Sequence, residues 1–274
     1  MRVLDVGCGC GDQSVHIASL RKDAFSTATT AASQSGFSAS VGLSEPALRR
    51  QSNGDSSSKP LFDTYVGITL VPLQAQVAQQ RMRLNQQQNK DGDRVSADIF
   101  CADGADPLSW TGELHNSISS LVETSLDPDT STWLLALDTM YHFKPSRLPI
   151  LHYAQNTLHA SFMAFDLLLA DQTSWWQRLK MQLICWVTGS PFTNFLTREE
   201  YVRLLVAAGY DPSRIEIKDI SRHVFPGITD FLERRVQEGQ LYGIKLGKFR
   251  GAKTVFGWWA RSGIVRGVVV VARR

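Results

Sequence analysis

The chain has 274 residues, 43% of them hydrophobic, with 29 Lys and Arg against 26 Asp and Glu. A chain of this length buries about three quarters of the surface its unfolded form exposes, so a single α/β domain over 1–274 needs no disulfide or metal staple. A net charge of +3 is too mild to require nucleic acid, no metal-ligand spacing is present, and four cysteines without a CxxC pair or a preceding secretory signal lead us to expect a reducing, cytoplasmic setting.

Residues 3–6 read as a short buried strand, and "DQSVHIASL" after a run of glycines reads as a helix. From 22 to 60 the apolar period is lost and ten serines accumulate between 21 and 60, which predicts a disordered insertion. "FDTYVGITL" predicts a second strand and "PLQAQVAQQRMRL" a helix with Pro72 in its first turn. "VSADIFCAD" and the continuously apolar "STWLLALD" predict a third and fourth strand, "SRLPILHYAQNTLHA" a helix, and "SFMAFDLLLAD" a fifth strand. That alternation predicts a doubly wound, Rossmann-like parallel sheet with helices on both faces. In "TREEYVRLLVAAGYD", Thr197 and Glu200 fit a capping box, and Gly209 suits the stop. "RIEIKDIS" alternates like a strand open on one side, and "GIVRGVVVVARR" closes a mostly parallel sheet of about seven strands.

The chemistry-bearing stretch is "RVLDVGCGCGDQS", where a strand delivers Asp5 and then Gly7, Gly9 and Gly11 before a helix. Glycines at such a turn let backbone approach a ligand closely. The phosphate-binding P-loop spacing is absent, and the dinucleotide spacing G-x-G-x-x-G is not met, because Asp12 stands where its third glycine belongs. The stretch resembles motif I of class I S-adenosylmethionine-dependent methyltransferases, whose acid and glycines hold the amino acid part of the cofactor. "GITLVPLQ" is similar to the segment after the second strand in the cyclopropane fatty acid synthase and sterol methyltransferase-like branches of that class.

The resemblance implies S-adenosylmethionine as cofactor, with Asp5, Gly7, Cys8, Gly9, Gly11 and Gln13 at its methionine part. It implies Thr69, Leu70 and Gln74 at the ribose, and Asp103 with its neighbours Gly104 and Ala105 at the adenine. Thr69 and Gln74 are also what a strand end and an exposed helix position would carry, and "DGADP" is in itself turn chemistry. In "ALDTMYHFKPSR", the segment that the resemblance places nearest the sulfonium, Asp138, Tyr141 and His142 are the candidate catalytic residues. A histidine there has the ordinary pKa of a base for a hydroxyl or amine acceptor. A carboxylate and an aromatic face would instead suit a developing carbocation.

An N-P-P-Y type motif of methyltransferases acting on base amino groups is absent, so the expected partner is a small molecule rather than nucleic acid. Residues 171–196 read as a lid or cap insertion. Within it Trp175, Leu179, Leu183 and Trp186 share one helix face, with Arg178, Lys180 and Gln182 away from it. That helix fits a lid over an apolar pocket, peripheral contact with a membrane through 174–187, or plain packing on the sheet. The basic, aromatic C-terminal region, with no acid after Glu238, is a second candidate for such contact. The resemblance further implies a segment before the first strand that covers the cofactor. A chain starting at that strand is expected to be truncated, with weak cofactor binding and slow turnover. Two other readings stay open here: a catalytically impaired cofactor-binding scaffold, and a nicotinamide dehydrogenase.

Overall fold

Seven strands form one sheet in the computed structural model, which describes residues 1–22, 59–88, 95–123 and 131–274. They are β1 (Arg2–Val6), β2 (Thr64–Thr69), β3 (Ser96–Cys101), β4 (Thr132–Leu137), β5 (Ser161–Leu169), β6 (Ile215–Asp219) and β7 (Val265–Ala272). Their order is β3-β2-β1-β4-β5-β7-β6. The first five are parallel, and β7 runs antiparallel to both β5 and β6. The doubly wound, mostly parallel architecture expected from the alternation of elements is therefore present.

Eight helices flank the sheet among the described residues: α1 (Asp12–Ala18), α2 (Pro72–Gln88), α3 (Gly112–Glu123), α4 (Leu148–Asn156), α5 (Trp175–Thr188), α6 (Arg198–Ala207), α7 (Ser221–Leu241) and α8 (Gly247–Ser262). The period-2 alternation of a strand explains why both faces are covered. Leu4 and Val6 of β1 join a core with Leu114 and Ile118 of α3, Ile150 and Leu151 of α4, and Tyr201 and Leu205 of α6. Val3 points the other way, into a core with Tyr65, Ile17 of α1, and Ala78 and Met82 of α2. A third cluster sits at the far end of β5, where Leu167 and Leu169 meet Met181 and Cys185 of α5, Phe225 of α7 and Trp259 of α8.

The expected Thr197 capping box is formed. Thr197 Oγ1 accepts from the Glu200 N–H at 3.3 Å, and Glu200 accepts from the Thr197 N–H at 2.8 Å. Three helices escaped the sequence reading, α3, α7 and α8. Pro226 inside α7 removes a backbone donor and reads as a break, and glycines 247, 251 and 257 make α8 look like loop. The serine-rich stretch lies outside the described residues over 23–58. Its ends are tied together, since the Lys22 N–H donates to the Lys59 carbonyl at 3.1 Å and Arg21 bridges to Pro60.

Candidate cofactor and acceptor site

Strand register decides which loops share an edge. Val6 is level with Ile68, and Ile68 with Phe100, while Asp5 is level with Leu135. The segments after β3, β2, β1 and β4 therefore leave the same carboxyl edge side by side. The chain reverses direction across the sheet at β1 and β4, the switch point where open α/β sheets take ligands.

The glycine loop is held by the Gly7 and Cys8 N–H groups, which both donate to the Ile68 carbonyl, at 2.7 and 3.0 Å. All three glycines have positive φ, but their surroundings differ. A Cβ on Gly7 would lie 2.3 to 2.7 Å from the Thr139 side chain, and one on Gly11 would lie 2.8 Å from the Ala78 backbone. These two positions let the loop after β4 and helix α2 come close. A Cβ on Gly9 would meet nothing within 4 Å, so this glycine faces open space. Cys8 turns inward, its thiol packed under Gly67 and pushed up to about 12 by burial and then by Asp5. It can offer a ligand backbone only.

Asp5 is fully buried at the end of β1. Its Oδ2 accepts from the Tyr65 hydroxyl at 2.6 Å and from Gln13 Nε2 at 2.9 Å. The Tyr65 oxygen also lies 2.7 Å from Ser14 Oγ, and with its single proton given to Asp5 it accepts from the serine. Asp5 Oδ1 has no partner. Burial lifts this carboxyl to about 6, against the opposing pull of its hydrogen bonds from Tyr65 and Gln13. A buried acceptor without a donor is costly, and native proteins keep few of them.

Thr69 closes β2 and donates to Gln74 Oε1 at 2.9 Å, so strand end and helix start are joined. Leu70, between them in sequence, is exposed. Asp103 carries the turn chemistry of its sequence, its carboxylate accepting from the Ala105 N–H at 2.8 Å while its carbonyl accepts from Trp110 Nε1 at 2.7 Å. Gly104 packs closely on Val6 and Phe143, and the Ala105 side chain belongs to the core. These two turn inward and leave backbone as their contribution to the crevice.

Asp138 follows β4 with φ 60°, an uncommon conformation for a residue with a side chain. It accepts from the Tyr141 hydroxyl at 2.9 Å, and burial raises both groups above their ordinary values. His142 Nδ1 lies 3.1 Å from the hydroxyl of Ser190, just beyond α5. Burial and then Lys144 hold its pKa down, which favours the neutral base at pH 7.

A support beneath this loop went unread in the sequence. Arg147 is buried, donating to Asp166 of β5 and to the Asn194 carbonyl. Tyr201 donates 2.9 Å to the same Asp166 oxygen, and the Arg147 guanidinium stands 5.1 Å from the Tyr201 ring centroid. Asn194 Nδ2 in turn donates to the carbonyls of Phe143 at 2.6 Å and Tyr141 at 3.3 Å. The one signal for it was an acid inside the apolar run "SFMAFDLLLA", which a strand covered on both faces tolerates only with a partner.

No family model matches the sequence, and a comparison with curated proteins finds no relative. Solved structures do match over the whole chain. The cyclase SpnF is 15% identical, has a TM-score of 0.56 and is covered over 75% of its length. Geranyl diphosphate C-methyltransferase from Streptomyces coelicolor, in complex with S-adenosyl-L-homocysteine, is 15% identical, with a TM-score of 0.52 and 70% of its length covered. The cyclopropane synthase MmaA2 from Mycobacterium tuberculosis is 14% identical, with a TM-score of 0.54 and 78% covered. At such identities the likeness concerns architecture, and a cyclase among these neighbours shows that architecture does not decide the reaction. The chain has the fold of the class I S-adenosylmethionine-dependent methyltransferases.

Proposed function

We propose that this chain binds S-adenosylmethionine at the carboxyl edge of β1 and β2 and transfers its methyl group to a small-molecule acceptor held beside the loop after β4. The observation that carries this reading is the pairing of open space over Gly9 with the unpartnered, buried Oδ1 of Asp5. A backbone position open at Gly9, four residues after a buried acceptor in need of a donor, suits an ammonium or amide-sized group.

The residues present fit that cofactor. Asp5, Gln13 and the backbone of Gly7 to Gly11 would hold the methionine part. Thr69 and Gln74, already joined, would offer a hydroxyl and an amide to the ribose, and Leu70 an exposed apolar surface. Asp103, with the backbone of Gly104 and Ala105, would bound the adenine. When bound, the cofactor supplies an activated methyl group with its leaving group attached, so the protein's share is placement and exclusion of water.

Asp138 and Tyr141 form one polar unit at the acceptor side, and His142 next to it stays neutral and can accept a proton from a hydroxyl or amine acceptor. Ser190 fixes the ring from its Nδ1 side, leaving Nε2 as the basic atom when Ser190 accepts from Nδ1–H. Asn194, clamped by Arg147, sets the height of this loop.

Calorimetric titration with S-adenosylmethionine, S-adenosylhomocysteine and NAD tests the reading. Saturable binding of both sulfur compounds and none of NAD is expected. Binding of NAD alone, or of none of the three, overturns it. Binding without methyl transfer across a panel of hydroxyl, amine and alkene acceptors would reduce it to a cofactor-binding protein.

A further inference from the structure

Helix α5 packs on the protein through Met181 and Cys185, with Trp259 Nε1 of α8 standing 3.2 Å from Met181 Sδ. At 100° per residue, Trp175, Trp186, Leu179, Leu183, Trp176 and Val187 fall in one continuous stripe about 120° wide, centred opposite that packed side. Each of the six is between 49% and 80% exposed. The two faces of one helix are thus both apolar, and only one is covered. The stripe is also preformed. Ser174 and Gln177 make a capping box, Gly189 closes the helix in a left-handed turn, and the rings of Trp175 and Trp176 stack at 3.6 Å.

Charge decides what this stripe fits. Helix α5 carries Arg178 and Lys180 and no acid. Helix α8 meets the covered side of α5 through Trp259, and ahead of it Leu241, Tyr242 and Ile244 stand exposed next to Lys245 and Lys248. Apolar side chains rich in tryptophan, flanked on their own helix by Arg178 and Lys180 and by no acid of that helix, match the interface of an anionic bilayer, where indole rings settle at headgroup level and each base gains from the surface potential. No described helix is long and apolar enough to cross a membrane, so such a helix would lie along the surface.

We propose that the tryptophan stripe of α5 docks the protein on an anionic lipid bilayer. The inference stands on the stripe and its charges and is independent of what binds at the glycine loop. Its place in the fold is next to the candidate acceptor site, since the turn ending α5 carries the Ser190 that meets His142.

The test is co-sedimentation of the full chain with vesicles of phosphatidylcholine alone and of equal parts phosphatidylcholine and phosphatidylserine. Wild type should pellet with the anionic vesicles and much less with the neutral ones. The variant W176S/L183S/W186S, altered only at exposed positions, should lose more than about tenfold in partitioning, and R178Q/K180Q should lose the preference for phosphatidylserine. Wild type remaining in the supernatant with both vesicles overturns the proposal, as does undiminished binding by the triple variant. A dimer in sedimentation velocity that the triple variant turns into a monomer also overturns it, making the stripe an interface between copies. Quenching of wild-type tryptophan fluorescence by brominated lipid needs no variant, and its absence overturns the proposal even if the variants fail to fold. Titration of the same preparations with S-adenosylhomocysteine reports the cofactor reading separately.

Discussion

At the scale of single residues, Asp5 sets function against stability. A carboxyl lifted from 3.8 to about 6 by burial costs on the order of 3 kcal/mol when it must be ionised in the folded chain. Folded Asp5 takes up its proton near pH 6 and the unfolded chain only near pH 3.8. Between these values the native state binds the extra proton, so this group makes stability fall as pH rises through the window, and above it the penalty is constant. Asp5→Asn should therefore raise the melting temperature at pH 7.5, flatten the pH dependence of stability between about 4 and 6, and abolish binding of S-adenosylhomocysteine. A variant that is no more stable at pH 7.5 would show that Asp5 carries no such penalty. The glycines separate in the same way. Gly9→Ala meets no atom and pays only for its left-handed backbone, about 1 to 2 kcal/mol. It should stay folded in thermal melts while its cofactor affinity falls steeply. Gly7→Ala collides with Thr139 and should lower the melting temperature first. Equal stability losses in the two variants would remove the distinction.

At the scale of elements, legibility follows local signal. The strand, glycine turn and helix at 2–18 and the capped helix α6 were readable because their apolar period and terminal residues agree. Thr197→Ala should cost about 1 kcal/mol in denaturant unfolding, since it removes the hydroxyl that accepts from the Glu200 N–H, while the backbone N–H of residue 197 that chiefly holds Glu200 below its ordinary carboxylate value is kept. No change in the unfolding midpoint would mean that the cap is redundant. Helices α7 and α8 were not readable from local chemistry, because proline and glycine argue against helix within each segment and only their mutual packing overrides that preference. Helix α5 shows a different limit. The face of Trp175, Leu179, Leu183 and Trp186 was visible as a pattern, but that the opposite side, through Met181 and Cys185, meets the protein depends on Trp259, 78 residues away in sequence from Met181. The candidate site divides along the same line. Asp5, Thr69, Gln74, Asp138 and Tyr141 were candidates through the resemblance of their segments, whereas the inward turn of Cys8, Gly104 and Ala105 required the packing of neighbouring strands.

At the scale of the whole molecule, the pair Arg147 and Asp166 ties together the side of the fold beside β4 and β5: the loop after β4, strand β5, the turn at Asn194 and helix α6 all meet there. Burying two charges is expensive, and their attraction repays that cost only with good geometry and further hydrogen bonds. Here the pair has them, from Tyr201 and the Leu167 N–H to Asp166, although Arg147 Nε is left without a partner. Breaking the pair from one side strands a charge in the core, so Arg147→Met should cost about 3 to 5 kcal/mol in denaturant unfolding. Removing both charges with Arg147→Met and Asp166→Leu leaves no stranded charge, and the double variant should be more stable than the single one. It should nevertheless bind and turn over less well, because Asn194 then loses the guanidinium that fixes it and the carbonyls of Tyr141 and Phe143 lose their height. The expected pattern is recovered stability without recovered acceptor-side function, with S-adenosylhomocysteine affinity at the glycine loop little changed because none of its residues touches the pair. A double variant as unstable as Arg147→Met would show that the pair contributes net stability beyond charge compensation. A double variant restored in both stability and turnover would show that this network supports the fold alone and does not position the loop bearing Asp138, Tyr141 and His142.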